Sequence, residues 1–142
     1  MGFFSKLGGH KDYPALGPDN AAAGQLANMQ AALKTLIDEI PDKLEVIPDD
    51  DAAYVFIGKP PKKFGVAWID EDGQIGKLHT LVKEKGVQPM VVQSISEELR
   101  TAYEKNQDAD RYMADIDGKS IVVTPCPELK SQVAQIISKV LN

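Results

Sequence analysis

"VFIGKPPKKFGVAWIDEDG", Val55 to Gly73, decides what kind of sheet this chain builds. Two apolar runs rich in β-formers, 52–58 and 64–70, flank the five residues Lys59-Pro60-Pro61-Lys62-Lys63. A connection this short joins antiparallel neighbours, because a parallel pair needs a crossover of about a dozen residues or more. A second hairpin is written further on. "YMADI" and "SIVVT" flank Asp117-Gly118, the dipeptide that accepts the positive φ angles of a type I′ turn. Two hairpins exclude a purely parallel sheet.

The glycines and lysines around Pro60 invite a second reading, as a phosphate cradle. It fails on four counts. Six residues separate Gly58 and Gly65, where four separate the glycines of a P-loop. Pro60 and Pro61 remove two N–H donors from the middle of the would-be nest. No Lys-Ser/Thr follows the second glycine, and 64–70 reads as strand where a helix should start. What remains is a basic tip, Lys59, Lys62 and Lys63, stiffened by two prolines. A stiff loop loses less entropy on binding, so this tip is the candidate binding site for a partner, a phosphate group or the chain's own Asp49–Asp51.

Working outward, Leu26, Met29, Leu33, Leu36, Ile37 and Ile40 recur at helical spacing. They predict a helix over 20–40, capped by Asp19 or Asn20 and ended by Pro41. "KLEVIPDDD" reads as a short extended piece entering an acidic loop. Ile75, Leu78 and Val82 predict a helix over 75–85, with Gly86 placed to end it. "VQPMVVQ", 87–93, reads as a strand that Pro89 pushes to an edge. Ser94 and Glu97 have capping-box spacing before a helix over 95–106. Pro127 opens a last helix whose Leu129, Val133, Ile136, Ile137 and Val140 face inward. The expected fold is α+β, with about five strands in a mainly antiparallel or mixed sheet and about four helices packed on it. Residues 1–18, rich in glycine and proline, read as a flexible arm, and 19–142 as one globular domain. Strands apolar on both faces need cover from helices or from a second copy, so a homodimer is an expected option.

The chain has 142 residues, enough to bury roughly 68–70% of its unfolded surface without a metal or disulfide. Its net charge is −5, from 21 acidic and 16 basic residues, which argues against a nucleic-acid coat. No apolar run reaches the roughly 18 residues of a membrane span, and the N-terminal apolar stretch with Phe3, Phe4 and Leu7 is too short for a secretory core. The single cysteine points to a reducing, cytoplasmic setting.

Cys126 is the one catalytic candidate. It precedes Pro127 at a predicted helix N-terminus, where free N–H groups favour thiolate. The phosphatase spacing would put Arg at 132, which is Gln132, and a thioredoxin-type pair would put Cys at 129, which is Leu129. His10 and His79 make no metal set, and the acidic clusters 49–51, 70–72, 108/110 and 115/117 miss the calcium-loop pattern. Tyr54, Phe56, Phe64 and Trp68 read as core. The reading favoured is a small non-catalytic domain that binds a protein partner or small ligand and carries no cofactor or metal. The alternatives are a thiol enzyme or redox sensor using Cys126, and an anion-binding module using Lys59, Lys62 and Lys63.

Overall fold

The computed structural model describes residues 13–141; Phe3, Phe4, Leu7, His10 and the first two-thirds of the expected arm lie outside the described residues. The fold is α+β, as expected. Helices α1 (Ala21–Asn28) and α2 (Gln30–Glu39) lead into strands β1 (Leu44–Pro48), β2 (Ala53–Lys59), β3 (Lys63–Ile69) and β4 (Ile75–Lys77). Helices α3 (Leu78–Lys85) and α4 (Pro89–Lys105), strands β5 (Tyr112–Ile116) and β6 (Lys119–Val123), and helix α5 (Pro127–Leu141) complete it. One six-stranded mixed sheet runs β4-β3-β2-β1-β6-β5. Among the six described strands only β1 and β6 pair in parallel.

Alternation along the strands divides the core in two. Leu44, Val46, Val55, Ala67, Ile69, Ile121 and Val123 face α1 and α2. Ile47, Phe56 and Val66 face α4 and α5, where Ile95, Leu99, Leu129, Val133 and Ile137 are buried. The cover demanded by two-sided apolar strands is thus supplied by the chain's own helices. The outer edge of β5 is met by the segment before α1. Met113 N–H donates to Pro14 O at 2.8 Å, and Leu16 N–H donates to Met113 O at 2.8 Å. That pairing blunts an edge and delivers Tyr13 beside the sheet.

Local signals explain most elements. Asn20 caps α1 by accepting from Ala22 N–H at 2.9 Å. Asp117 and Gly118 take φ of 54° and 84°, the turn that their sequence predicts. Gly86 ends α3 at φ 63°. Pro127 is the first residue of α5.

Five expectations are corrected. Residues 87–93 are not an edge strand. Pro89 is the first residue of a 17-residue helix, where its missing N–H has no partner to lose. Ser94 therefore lies inside α4 and caps nothing. "LEVIP" is not a passing extended piece but the central strand β1, all five residues buried between β2 and β6. Residues 75–77 leave the predicted helix to pair with β3, Ile75 opposite Ile69 and Gly76 opposite Trp68. The helix over 20–40 breaks at Met29, whose φ −120° and ψ 25° are not helical.

Gly76 has a definite reason. A Cβ built there would lie 2.1 Å from Trp68 Nε1 and 2.3 Å from Cε2, so the indole lies flat over the glycine. An aromatic that covers a cross-strand glycine restores the packing the glycine lacks. Gly76→Ala is expected to push Trp68 off the sheet and cost about 1–3 kcal/mol. Trp68 is the chain's one tryptophan, so its fluorescence should shift to the red. An unchanged emission maximum and unchanged urea midpoint would contradict this packing.

Candidate functional site

Glu45 stands in the middle of β1, on the face toward α4, and only 7% of it is exposed. A buried carboxylate is costly unless every oxygen is answered. Here Tyr103 Oη donates to Oε1 at 2.6 Å. Thr124 Oγ1 donates to Oε2 at 2.6 Å, and Arg111 Nε donates to the same oxygen at 3.0 Å. Three elements converge on one side chain: Tyr103 from α4, Thr124 from just past β6, and Arg111 from the loop before β5.

Arg111 has a 5% exposed side chain. Its Nη1 braces the turn that follows α4 by donating to Gln107 O at 3.0 Å and Ala109 O at 3.2 Å, with a longer contact of 3.5 Å to the C-cap Asn106 O. A cation just past the C-terminus of a helix is where the dipole wants one. The guanidinium carbon also lies 5.2 Å from the centre of the Tyr103 ring, within cation–π range. Nη2 is buried and has no hydrogen-bond partner among the described residues.

The electrostatics follow from this geometry. Burial pushes the Tyr103 phenol well above its ordinary range, and the Glu45 carboxylate it donates to pushes it further. Burial pushes Arg111 down, but Glu45 and the two phenols more than reverse this, and it ends above its ordinary value. Tyr13 is raised by burial, against the pull of Arg111. The site therefore holds neutral phenols around a fixed carboxylate–guanidinium pair.

A cavity of about 390 Å³ opens against this network. Glu45, Tyr103, Gln107 and Arg111 form its polar wall, and Leu44, Val122 and Tyr13 contribute further surface. Lys59, Pro60 and Pro61, the start of the hairpin singled out in the sequence, form one side. The hairpin is held to α4 by Arg100, whose Nε donates to Pro61 O at 2.8 Å and whose Nη2 reaches Lys62 O at 3.4 Å. Arg100 is itself paired with Glu97.

The sequence-predicted lysines separate. Lys59 lines the cavity. Lys63 lines a neighbouring groove with Phe64 and Gly65, and Lys62 lines neither. All three are exposed. The acidic loop is engaged elsewhere: Asp49 pairs with Lys130 at 2.9 Å, which holds its carboxyl below the usual range, and Asp50 accepts from Gln25 at 2.9 Å. Cys126 is half-buried against the α4–α5 core, and its Sγ donates to Asn106 Oδ1 at 3.5 Å. Asn106 is fixed by donating to Ala102 O at 2.8 Å and Gln132 Oε1 at 2.9 Å. His79 lies on α3, beside an apolar cavity with Ile57, Phe64 and Val82. No group of three or more metal-ligating side chains occurs among the described residues, and no described helix is long and apolar enough to cross a membrane.

Glu45, Tyr103, Thr124 and Arg111 were not singled out by sequence reasoning. One signal was available. The chain has two arginines, Arg100 and Arg111. Arginine is favoured over lysine where a planar, weakly hydrated cation must be buried or forked, and both arginines end at this site. No protein family, curated protein or solved structure matches the chain.

Proposed function

We propose that this chain is a non-catalytic binding domain whose ligand lies in the cavity beside the Lys59–Pro61 side of the hairpin. The observation that carries the reading is the state of Glu45. Three donors from within the protein occupy its two oxygens and one of them is a guanidinium, so the carboxylate is held as a structural acceptor rather than poised as a base or nucleophile. A polar wall held in place by its own hydrogen bonds suits recognition, because little ordering is left for binding to impose. The volume falls in the range of small-ligand sites. The thiol reading of Cys126 is the weaker one. Its sulfur is tied to an amide oxygen and packed on the core, whereas a reactive cysteine occupies an open, electropositive pocket.

Benzamide, a neutral aromatic of suitable size, provides the test. Titrated into the ¹⁵N-labelled full chain, it should shift the amides of Leu44, Glu45, Gly58, Lys59 and Gln107 saturably. Cys126→Ala should leave that titration unchanged. Shifts confined to residues around Cys126, or substrate turnover that Cys126→Ala abolishes, would end this reading.

A further inference from the structure

We infer that the cavity takes a small organic anion, a carboxylate or phosphate ester, with one anionic oxygen on Nη2 of Arg111. This rests on the binding reading above and names the ligand's chemistry. The argument begins with a donor inventory. A guanidinium has five N–H bonds in a fixed fork. Nε is spent on Glu45, and Nη1 on the carbonyls of the turn that follows α4. Nη2 retains its donors, in a side chain that is 5% exposed and lines the cavity. A buried donor without an acceptor costs free energy that an incoming acceptor recovers. The fork geometry also limits the contact: with Nε and Nη1 engaged, the ligand meets a single nitrogen rather than a bidentate pair.

Charge selects an anion over a neutral acceptor. Glu45 neutralises Arg111 and is itself saturated by Tyr103 and Thr124. Among the other side chains lining the cavity, Lys59 adds an exposed cation, so the side of the opening that it forms is positive on a chain of net charge −5. The phenols of Tyr13 and Tyr103 add no negative charge at neutral pH, since burial holds both protonated. The rest of the lining explains why the anion should be organic. Leu44, Val122, Pro60 and Pro61 offer apolar surface, and about 390 Å³ exceeds what a bare carboxylate or phosphate fills. Nη2 is itself closed to solvent, so the anion reaches it by displacing part of the lining around it.

Benzoate and phenyl phosphate, compared with benzamide, separate this inference from the binding reading. In the ¹⁵N-labelled full chain, Arg100 and Arg111 give two Nε–Hε signals, assigned through Arg100→Lys. One or both anions should shift the Arg111 signal saturably and bind about tenfold or more tighter than benzamide, as a charge-assisted hydrogen bond requires. Which anion wins distinguishes carboxylate from phosphate. Lys59→Ala should weaken the anions several-fold without moving the urea midpoint. Arg111→Met would leave Glu45 buried alone, so the informative variant is the double change Glu45→Leu with Arg111→Met. It should still bind benzamide and lose the preference for anions. Equal affinities for benzoate, phenyl phosphate and benzamide would overturn the anion while leaving the cavity as a ligand site. Anion shifts confined to Lys59, Lys62 and Lys63 and erased by moderate salt would place the anion on the exposed tip and overturn the inference. Absence of any shift in the cavity would overturn both.

Discussion

Replacing Glu45 by leucine alone should destabilise the fold by about 3–5 kcal/mol, because it leaves a desolvated guanidinium with no counter-charge. Arg111 would then hold a buried cation whose Nε and Nη2 both lack acceptors. Tyr103 Oη and Thr124 Oγ1 would lose their acceptor in the same stroke. Against a typical total of about 5–15 kcal/mol, this is a large fraction. The double variant Glu45→Leu with Arg111→Met should lose much less. Replacing both members of a buried pair by apolar residues of similar volume is often neutral or better, since neither charge then has to be desolvated. Some loss should remain, because Arg111 Nη1 also braces the turn that follows α4. Glu45→Gln is instructive in its own right. An amide has one oxygen and one NH₂, and three donors point at this position. With the NH₂ toward Thr124 and Arg111 it meets the Arg111 donor, and with the NH₂ toward Tyr103 it needs the phenol to turn and accept. Urea denaturation at neutral pH, followed by circular dichroism, gives all three values. A single Glu45→Leu change costing under about 1 kcal/mol, or costing no more than the double, would show that the pair is not desolvated as described.

The same residues explain what could be read in the sequence and what could not. Elements specified locally were legible. The Asp117-Gly118 turn, the 59–63 hairpin, the Asn20 cap and the start of α5 at Pro127 each depend on neighbours a few residues away. β1 was undervalued because Glu45 interrupts an apolar run, and a charge in a short segment argues for the surface. Its burial depends on partners 58, 66 and 79 residues distant, and nothing in "KLEVIP" announces them. Residues 87–93 misled for a different reason. Valines and glutamines suit a strand, and proline suits a strand edge, but proline suits the first position of a helix equally well. The tertiary context settles it: Ile95, Leu99, Ala102 and Tyr103 form one buried stripe. Met90 and Val91, read as part of an edge strand, are 80% and 45% exposed in the first turn. For the cavity, sequence reasoning led to the hairpin that forms one side of it, and of the three lysines it singled out Lys59 lines that side. Lys59 reaches the cavity through its neighbours' geometry, while the side chains that make the wall come from α4, β1 and a loop that no local motif connects.

Phe56→Ala should cost about 3–5 kcal/mol, the usual range for truncating a buried aromatic. Phe56 is 0% exposed and lies opposite Glu45 in the β1–β2 register. Its ring centre is 5.4 Å from that of Phe64 and 5.2 Å from that of Tyr103, both tilted, so three aromatics brace each other under α4. Truncation leaves a cavity directly beneath Tyr103, and the hydroxyl that holds Glu45 Oε1 loses its support. Met90→Ala, made in the same helix but in its exposed first turn, should fall within about 0.5 kcal/mol of the parent. The contrast separates burial from side-chain size. Because Phe56 and Glu45 both act through Tyr103, their effects should not add. A tyrosine already released by Phe56→Ala has less to lose when its acceptor is removed. The combined Phe56→Ala and Glu45→Leu changes should therefore cost less than the separate losses together, by about 0.5–3 kcal/mol. Strict additivity in a denaturant cycle would mean that the aromatic cluster and the polar wall are independent, and that the cavity does not owe its shape to the packing behind it.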